Sequence, residues 1–324
     1  MDLVCLGELL IDMLPTELGR GVAEVSAWLP KPGGAPANVA VAAARLGAES
    51  AFVGKVGDEA FGHYLAGVLR DEGVDASAMR YDPEARTGLA FVAKPDENTY
   101  DILFYRNPGA DMRLRPDELD REMLSGTRAF HFGSISLIEE PSRSATLEAI
   151  HLAREGGALI SFDVNYRANL WGRDEARDRV WPVVGQASLI KVNEDELELL
   201  TGSADLEEGS RKLLAQGVEV CVVTLGPDGS YFRVAQGGGT VAPFQVDTVD
   251  ATGCGDAFVA GLLWQLVRGG DWRAQLSVPR MRRALRYANA VGALTSTRAG
   301  AIPALPTAQM VDEFLAGQDA WGLQ

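Results

Sequence analysis

Short apolar runs alternate along this chain with amphipathic stretches, and that alternation limits the possible fold more than any other feature. Leu3–Leu6, Ala51–Val56, Ala129–Phe132, Ala158–Val164, Leu189–Val192 and Val220–Leu225 read as strands covered on both faces, because apolar residues follow one another without polar alternation. Segments near 36–46, 60–72, 142–155, 194–200 and 207–216 have the 3.6-residue period of helices. Gly47, Gly73, Gly156, Gly202 and Gly217 follow them as expected C-caps. The β-α order predicts an α/β fold with a mostly parallel central sheet and helices on both faces. The last third is helix-rich, from Asp256 to about Arg268, from about Pro279 to Thr297, and near 307–316.

Two stretches break the alternation, about 13–32 and about 87–107. The second reads as two strands around a Pro95-Asp96-Glu97-Asn98 turn. Two such insertions are able to pair into a small sheet, either as a plain surface hairpin or as a lid that excludes water from a site. There is no internal repeat, low-complexity linker or long charge block, so one folding unit over 1–324 is expected.

Composition removes several classes. Lys and Arg number 30 against 45 Asp and Glu, a net charge of −15, which opposes non-specific nucleic-acid binding and an anionic membrane surface. No apolar run approaches the ~18 residues of a membrane span. Cys5, Cys221 and Cys254 are odd in number and form no C-x-x-C pair, so a reducing cytoplasm is expected. The start, Met1-Asp2-Leu3-Val4, lacks the basic region of a signal peptide. P-loop, dinucleotide, serine-hydrolase and zincin motifs are all missing, and the histidines are His63, His131 and His151 alone.

The sharpest local pattern is Val249-Asp250-Ala251-Thr252-Gly253-Cys254-Gly255-Asp256-Ala257-Phe258. Glycines flanking Cys254 before an apolar helix let backbone N–H groups turn toward an anion. A carboxylate at Asp256 beside such a hole is able to take a hydroxyl proton while the hole neutralises a transferring phosphoryl group. An ordinary Gly-rich turn capped by Asp meets the same spacing. The second pattern, Pro32-Gly33-Gly34-Ala35-Pro36-Ala37-Asn38, opens an Ala-rich helix. Close packing explains most of it, and Asn38 least.

Together the two segments resemble the two signatures of the ribokinase/PfkB family of sugar kinases, and the likeness spans nearly the whole chain. It implies a ribokinase-like three-layer fold with a small β-sheet lid. It maps the catalytic base onto Asp256 and the anion hole onto Gly253, Cys254 and Gly255. Ala251 and Cys254 depart from the commoner family residues. Asn193 and Glu196, in Asn193-Glu194-Asp195-Glu196, resemble an N-x-x-E motif associated with Mg²⁺, held mostly through water. Thr224, Gly226 and Gly229 resemble a nucleotide loop, and Asn289 matches a position near the adenine of ATP.

Finer marks resemble bacterial and plant fructokinases: Phe104-Tyr105-Arg106-Asn107-Pro108-Gly109, Phe162-Asp163-Val164-Asn165-Tyr166-Arg167, and Tyr287-Ala288-Asn289. The resemblance implies a sugar site of Asp12, Gly33, Gly34, Asn38, Arg106, Asn165 and Asp256, with Arg167 facing the phosphoryl path. It implies a K⁺-like cation near Asp250, with backbone of Thr252, Thr295, Arg298 and Gly300. ATP-dependent phosphorylation of fructose is the expected activity. A 2-keto-3-deoxygluconate kinase, another PfkB-family kinase and a non-catalytic sugar- or partner-binding relative are the alternatives. The basic run Arg280–Arg286 reads as a solvated helix face or as a flank of the nucleotide entrance. The edges of a small sheet suit a homodimer formed through the lid.

Overall fold

Strand Leu3–Leu6 shows why the chain layers. Leu3 and Cys5 enter one hydrophobic cluster and Val4 and Leu6 another, because successive side chains of a strand point to opposite faces. Val220 and Val222 separate from Cys221 and Val223 in the same way. The structure, a computed structural model, describes residues 1–96 and 101–321.

Eight strands lie side by side in the order Gly237–Val241, Ser230–Val234, Val220–Thr224, Leu189–Asn193, Leu159–Asp163, Ala129–Gly133, Leu3–Leu6 and Ser50–Val53. From Val220–Thr224 onward the neighbours are parallel, and the first two strands form an antiparallel hairpin at the edge. Helices Ala35–Arg45, Ala60–Asp71, Cys254–Val267 and Val278–Ser296 cover one face. Ser142–Glu155, Arg173–Val184, Glu194–Thr201 and Leu206–Leu214 cover the other. The expected three layers are present.

Local differences have identifiable causes. The run 51–56 is two strands, because Lys55–Gly57 leaves the main sheet beyond Gly54 to pair with Arg80–Asp82. Gly156 ends its helix with φ −72°, and the left-handed residue is Gly157 at φ 83°. Helix Arg173–Val184 was not expected; its charge-dense first turns and Pro182 in the last turn blur the periodicity. The final helix, Ala308–Trp321, runs past the expected end.

The two insertions pair into a separate four-stranded sheet, Trp28–Gly33, Leu10–Pro15, Leu89–Ala93 and Asp101–Tyr105. Its strand Leu10–Pro15 starts earlier than the sequence suggested, which brings Asp12 into the sheet. Glu97 and Asn98 of the expected turn lie outside the described residues.

Candidate active site

Parallel strands place their carboxyl ends on one side of the sheet, where ligands of α/β folds bind. Asp163, Asn193 and Thr224 end three of these strands, and Gly7 and Glu8 follow a fourth. Asp256 sits at the third position of helix Cys254–Val267, entered through Gly253 in the left-handed region at φ 77°. A Cβ on Gly253 would stand 2.9 Å from that of Ala301. The N–H of Cys254 donates to Ala251 O at 3.2 Å. Gly255 and Asp256 follow it in the first turn, whose N–H groups have no intrahelical acceptor and favour an anion. Burial pushes the Cys254 thiol up to about 12, so it stays protonated.

Asn38 Nδ2 donates to Asp256 Oδ2 at 2.8 Å, joining the two sequence patterns across 218 residues. Asp256 is half-buried as a residue, with its carboxyl enclosed by protein. Burial pushes that carboxyl up to about 6, with Asp163 acting the same way, while Asn38, Arg167 and Lys191 oppose the rise. Asp12 is pushed up to about 7 by burial and by the charge of Asp256, with Arg167 opposing. Gly33 makes room for it: a Cβ there would lie 2.0 Å from Asp12 Oδ2. Gly34, at φ 114°, would bring a Cβ within 2.4 Å of Glu8 O.

Of the other expected sugar residues, Arg106 lies near Glu8, whose carboxyl feels its charge. Arg106 is buried and ion-paired with Asp111. Asn165 takes a left-handed φ of 41°, which asparagine tolerates better than most residues, and opens the turn that carries Arg167. Glu8 Oε2, Asn38 Oδ1 and Arg106 Nε are buried without a hydrogen-bond partner. Buried polar atoms are normally satisfied, so this set suits a ligand rich in hydroxyls.

On the other side of Asp256 is a cavity of about 670 Å³, lined by Asn193, Thr224, Gly226, Gly229, Cys254, Gly255 and Asn289 among others. Gly226 and Gly229 have φ of 55° and 92°. Asn289 donates to Val241 O at 3.3 Å and Ala242 O at 3.0 Å, so it holds the cavity wall as well as lining it. Glu196 lies behind this surface. Its two carboxylate oxygens accept the N–H groups of Asn193 and Tyr166, each at 2.8 Å, and Asn193 caps the N–H of Glu196 in return. Exposed Glu194 and Asp195 line the cavity instead. Among the described residues no three His, Cys, Asp or Glu side chains cluster as a metal cage. This donor set fits Mg²⁺ held mainly by phosphates and water.

Asp250 fastens two loops. Its Oδ1 accepts the N–H and Oγ1–H of Thr252, and its Oδ2 accepts Gly300 N–H at 2.8 Å. Burial would raise its carboxyl, but these hydrogen bonds hold it below the ordinary carboxylate value. The Gly253-Cys254-Gly255 turn is thereby tied to Gly300, in the loop that follows helix Val278–Ser296.

Sequence reading did not assign Lys191. It pairs with Asp163 at 3.1 Å, and both are buried on adjacent strands in register. A Cβ on Gly255 would lie 3.7 Å from Lys191 Nζ, which puts an ammonium beside the proposed anion hole. Burial would lower its pKa, but Asp163, Glu196 and Asp256 hold it above the usual lysine value. The available signal was a charge inside an apolar strand run. Glu8 gave no comparable signal. Burial pushes it up to about 7, and Oε1 accepts Ala35 N–H at 3.0 Å.

A family model described as "pfkB family carbohydrate kinase" matches residues 1–308. Fructokinase-1 of Zea mays is 47% identical over 306 residues, covering 94% of this chain and 94% of that protein. The crystal structure of fructokinase with bound ATP from Xylella fastidiosa aligns with TM-score 0.90 at 34% identity, over 98% of this chain and 99% of that one. A double-mutant fructokinase of Vibrio cholerae, solved with fructose, ADP and a potassium ion, aligns with TM-score 0.87 at 35% identity, over 97% and 98%.

Proposed function

This chain belongs to the pfkB family of carbohydrate kinases, and we propose that it transfers the γ-phosphoryl of ATP to the 6-hydroxyl of D-fructose, giving fructose 6-phosphate and ADP. One juxtaposition carries the reading. The Asp256 carboxylate, held by Asn38, stands at a glycine-flanked helix start between buried unpartnered polar atoms and a nucleotide-sized cavity.

The sugar's hydroxyls donate to Asp12 and to Asn38 Oδ1, and Arg106 Nε donates to a sugar oxygen. Gly33 and Gly34 let the backbone approach, and Asn165 completes this side. Asp256 takes the proton from O6 as that oxygen bonds to the γ-phosphorus. The bond from phosphorus to the β,γ-bridging oxygen breaks, and its electron pair leaves with ADP. Backbone N–H groups of the Gly253-Cys254-Gly255 turn, that of Gly255 being free of an intrahelical acceptor, act with Arg167 and Lys191 to offset charge on the phosphoryl oxygens. Thr224, Gly226, Gly229 and Asn289 bound the nucleotide. Mg²⁺ would be held through water near Asn193, with Glu196 behind it fixing that strand end, and would supply further neutralisation of the phosphates. A potassium ion would be held near Asp250 by carbonyls of Thr252, Thr295, Arg298 and Gly300, and would add positive charge beside the turn that Asp250 ties to Gly300. The chain acts as one kinase domain with the small sheet as its lid.

Asp111 already matches the charge of Arg106. That favours a neutral sugar over an acid such as 2-keto-3-deoxygluconate. The test is a coupled ADP-release screen over fructose, 2-keto-3-deoxygluconate, ribose and adenosine, in potassium and in tetramethylammonium salts. Fructose is expected to lead in kcat/KM by about tenfold or more, with faster turnover in potassium. Equal rates for all four would remove the fructose assignment, and no ADP release would favour a non-catalytic relative.

Leu29, Leu103 and Tyr105 are exposed on the small sheet. This supports a homodimer through that sheet, because open apolar sheet surface tends to find a partner. Light scattering at micromolar concentration is expected to give twice 34.6 kDa, and a monomer would exclude it. Three free cysteines support a cytoplasmic location. Among the described residues no helix is long and apolar enough to cross a membrane.

A further inference from the structure

The basic run 280–286 does not face solvent uniformly. Arg282, Arg286 and Asn289 share one face of helix Val278–Ser296, at spacings of four and three. Arg282 Nη1 donates to Thr240 O at 2.7 Å, and its guanidinium lies 5.8 Å from the Phe232 ring centroid. A Cβ on Gly239 would stand 2.7 Å from Arg282 Nη2, so the bare glycine seats the guanidinium. Arg286 lies over the Phe244 ring at 5.4 Å. Asn289 holds the carbonyls of Val241 and Ala242. All three side chains therefore land on residues 240–244. Arg280 instead reaches Ala274 O, and Arg283 is exposed.

That segment needs holding. Strand Gly237–Val241 is the edge of the main sheet and ends at Val241, and beyond it Pro243 and Phe244 line the cavity. Phe244 also meets Phe314 edge-on at 5.2 Å. We propose that Arg282, Arg286 and Asn289 form a brace that fixes this wall of the cavity, and that Arg286, acting through Phe244, is a positioning residue for the nucleotide base. The proposal rests on reading the cavity as the ATP site. It separates the run into two residues that shape nucleotide affinity, Arg282 and Arg286, and two that do not, Arg280 and Arg283.

The test is kinetic and calorimetric on the full chain. R286A is expected to raise KM for ATP about fivefold, the size of a partly exposed cation–π contact. Its kcat and its KM for fructose are expected to stay within about twofold, and R286K to recover part of the loss. ADP affinity measured by calorimetry is expected to fall by the same factor as KM rises. In an F244A background R286A is expected to add nothing, because the two side chains act as one unit. R283A serves as the neutral control. Equal changes in kcat and KM, or independent effects of R286A and F244A, would overturn the brace in favour of a general structural role. If R286A does not fold, R286K and F244L carry the same comparison. Failure of the wild-type protein to bind ADP would instead strike the nucleotide reading beneath the proposal.

Discussion

Asp256→Asn is expected to lower kcat by about 10²–10⁴-fold, the range for removal of a positioned general base. The substitution keeps the shape and the contact with Asn38 while removing the proton acceptor. The wild-type kcat/KM profile should fall on the acid side with an apparent pKa of about 6, because the base must be ionised and burial has pushed it there. Asn38→Ala should move that limb to higher pH, since its hydrogen bond favours the ionised form. Stability should change in the opposite sense to activity. The folded carboxyl binds its proton more tightly than an unfolded one, so its contribution to stability is lost as pH rises from the ordinary aspartate value of 3.8 through about 6. Asp256→Asn should therefore melt at or above the wild-type temperature at pH 8. Turnover of this variant at the wild-type rate would falsify the assignment of the base.

Lys191→Met is expected to be the most destabilising of the single changes considered. It strands Asp163, a 3% exposed carboxylate, without its partner. Breaking a buried pair from one side costs about 3–5 kcal/mol, whereas removing both partners is often near neutral. Chemical denaturation should show most of the loss recovered in D163N/K191M. Activity should not return with it. If the ammonium beside Gly255 acts on the phosphoryl group as proposed, its loss should leave kcat about 10²-fold low. If the double variant regains both stability and turnover, Lys191 serves only the fold.

The main sheet was legible because a parallel strand covered on both faces leaves an uninterrupted apolar run. The glycine-rich edge strand Gly237–Val241 leaves no such trace, and neither it nor its partner Ser230–Val234 was anticipated. The turn at Gly253-Cys254-Gly255-Asp256 was legible because its chemistry is local. Family resemblance put Asn38 and Asp256 in one sugar site, and their direct hydrogen bond emerges only in the folded chain. The Lys191–Asp163 pair was not legible, since two residues 28 apart meet only through the register of neighbouring strands. Asp111 stands five residues beyond Arg106, and its pairing with that arginine emerges only when the chain is folded.

Asp12 belongs to the small sheet, whereas Asn38 and Asp256 belong to the layered body. A sugar held as proposed, by Asp12 on one side and by Asn38 and Asp256 on the other, would be a rivet between two parts of the molecule. Water reaching Asp256 alone has too few hydroxyls to span them. On that reading the contacts that choose the acceptor would also guard against wasted ATP, because a molecule unable to fasten the sheet to the body would leave the phosphoryl group without an assembled site.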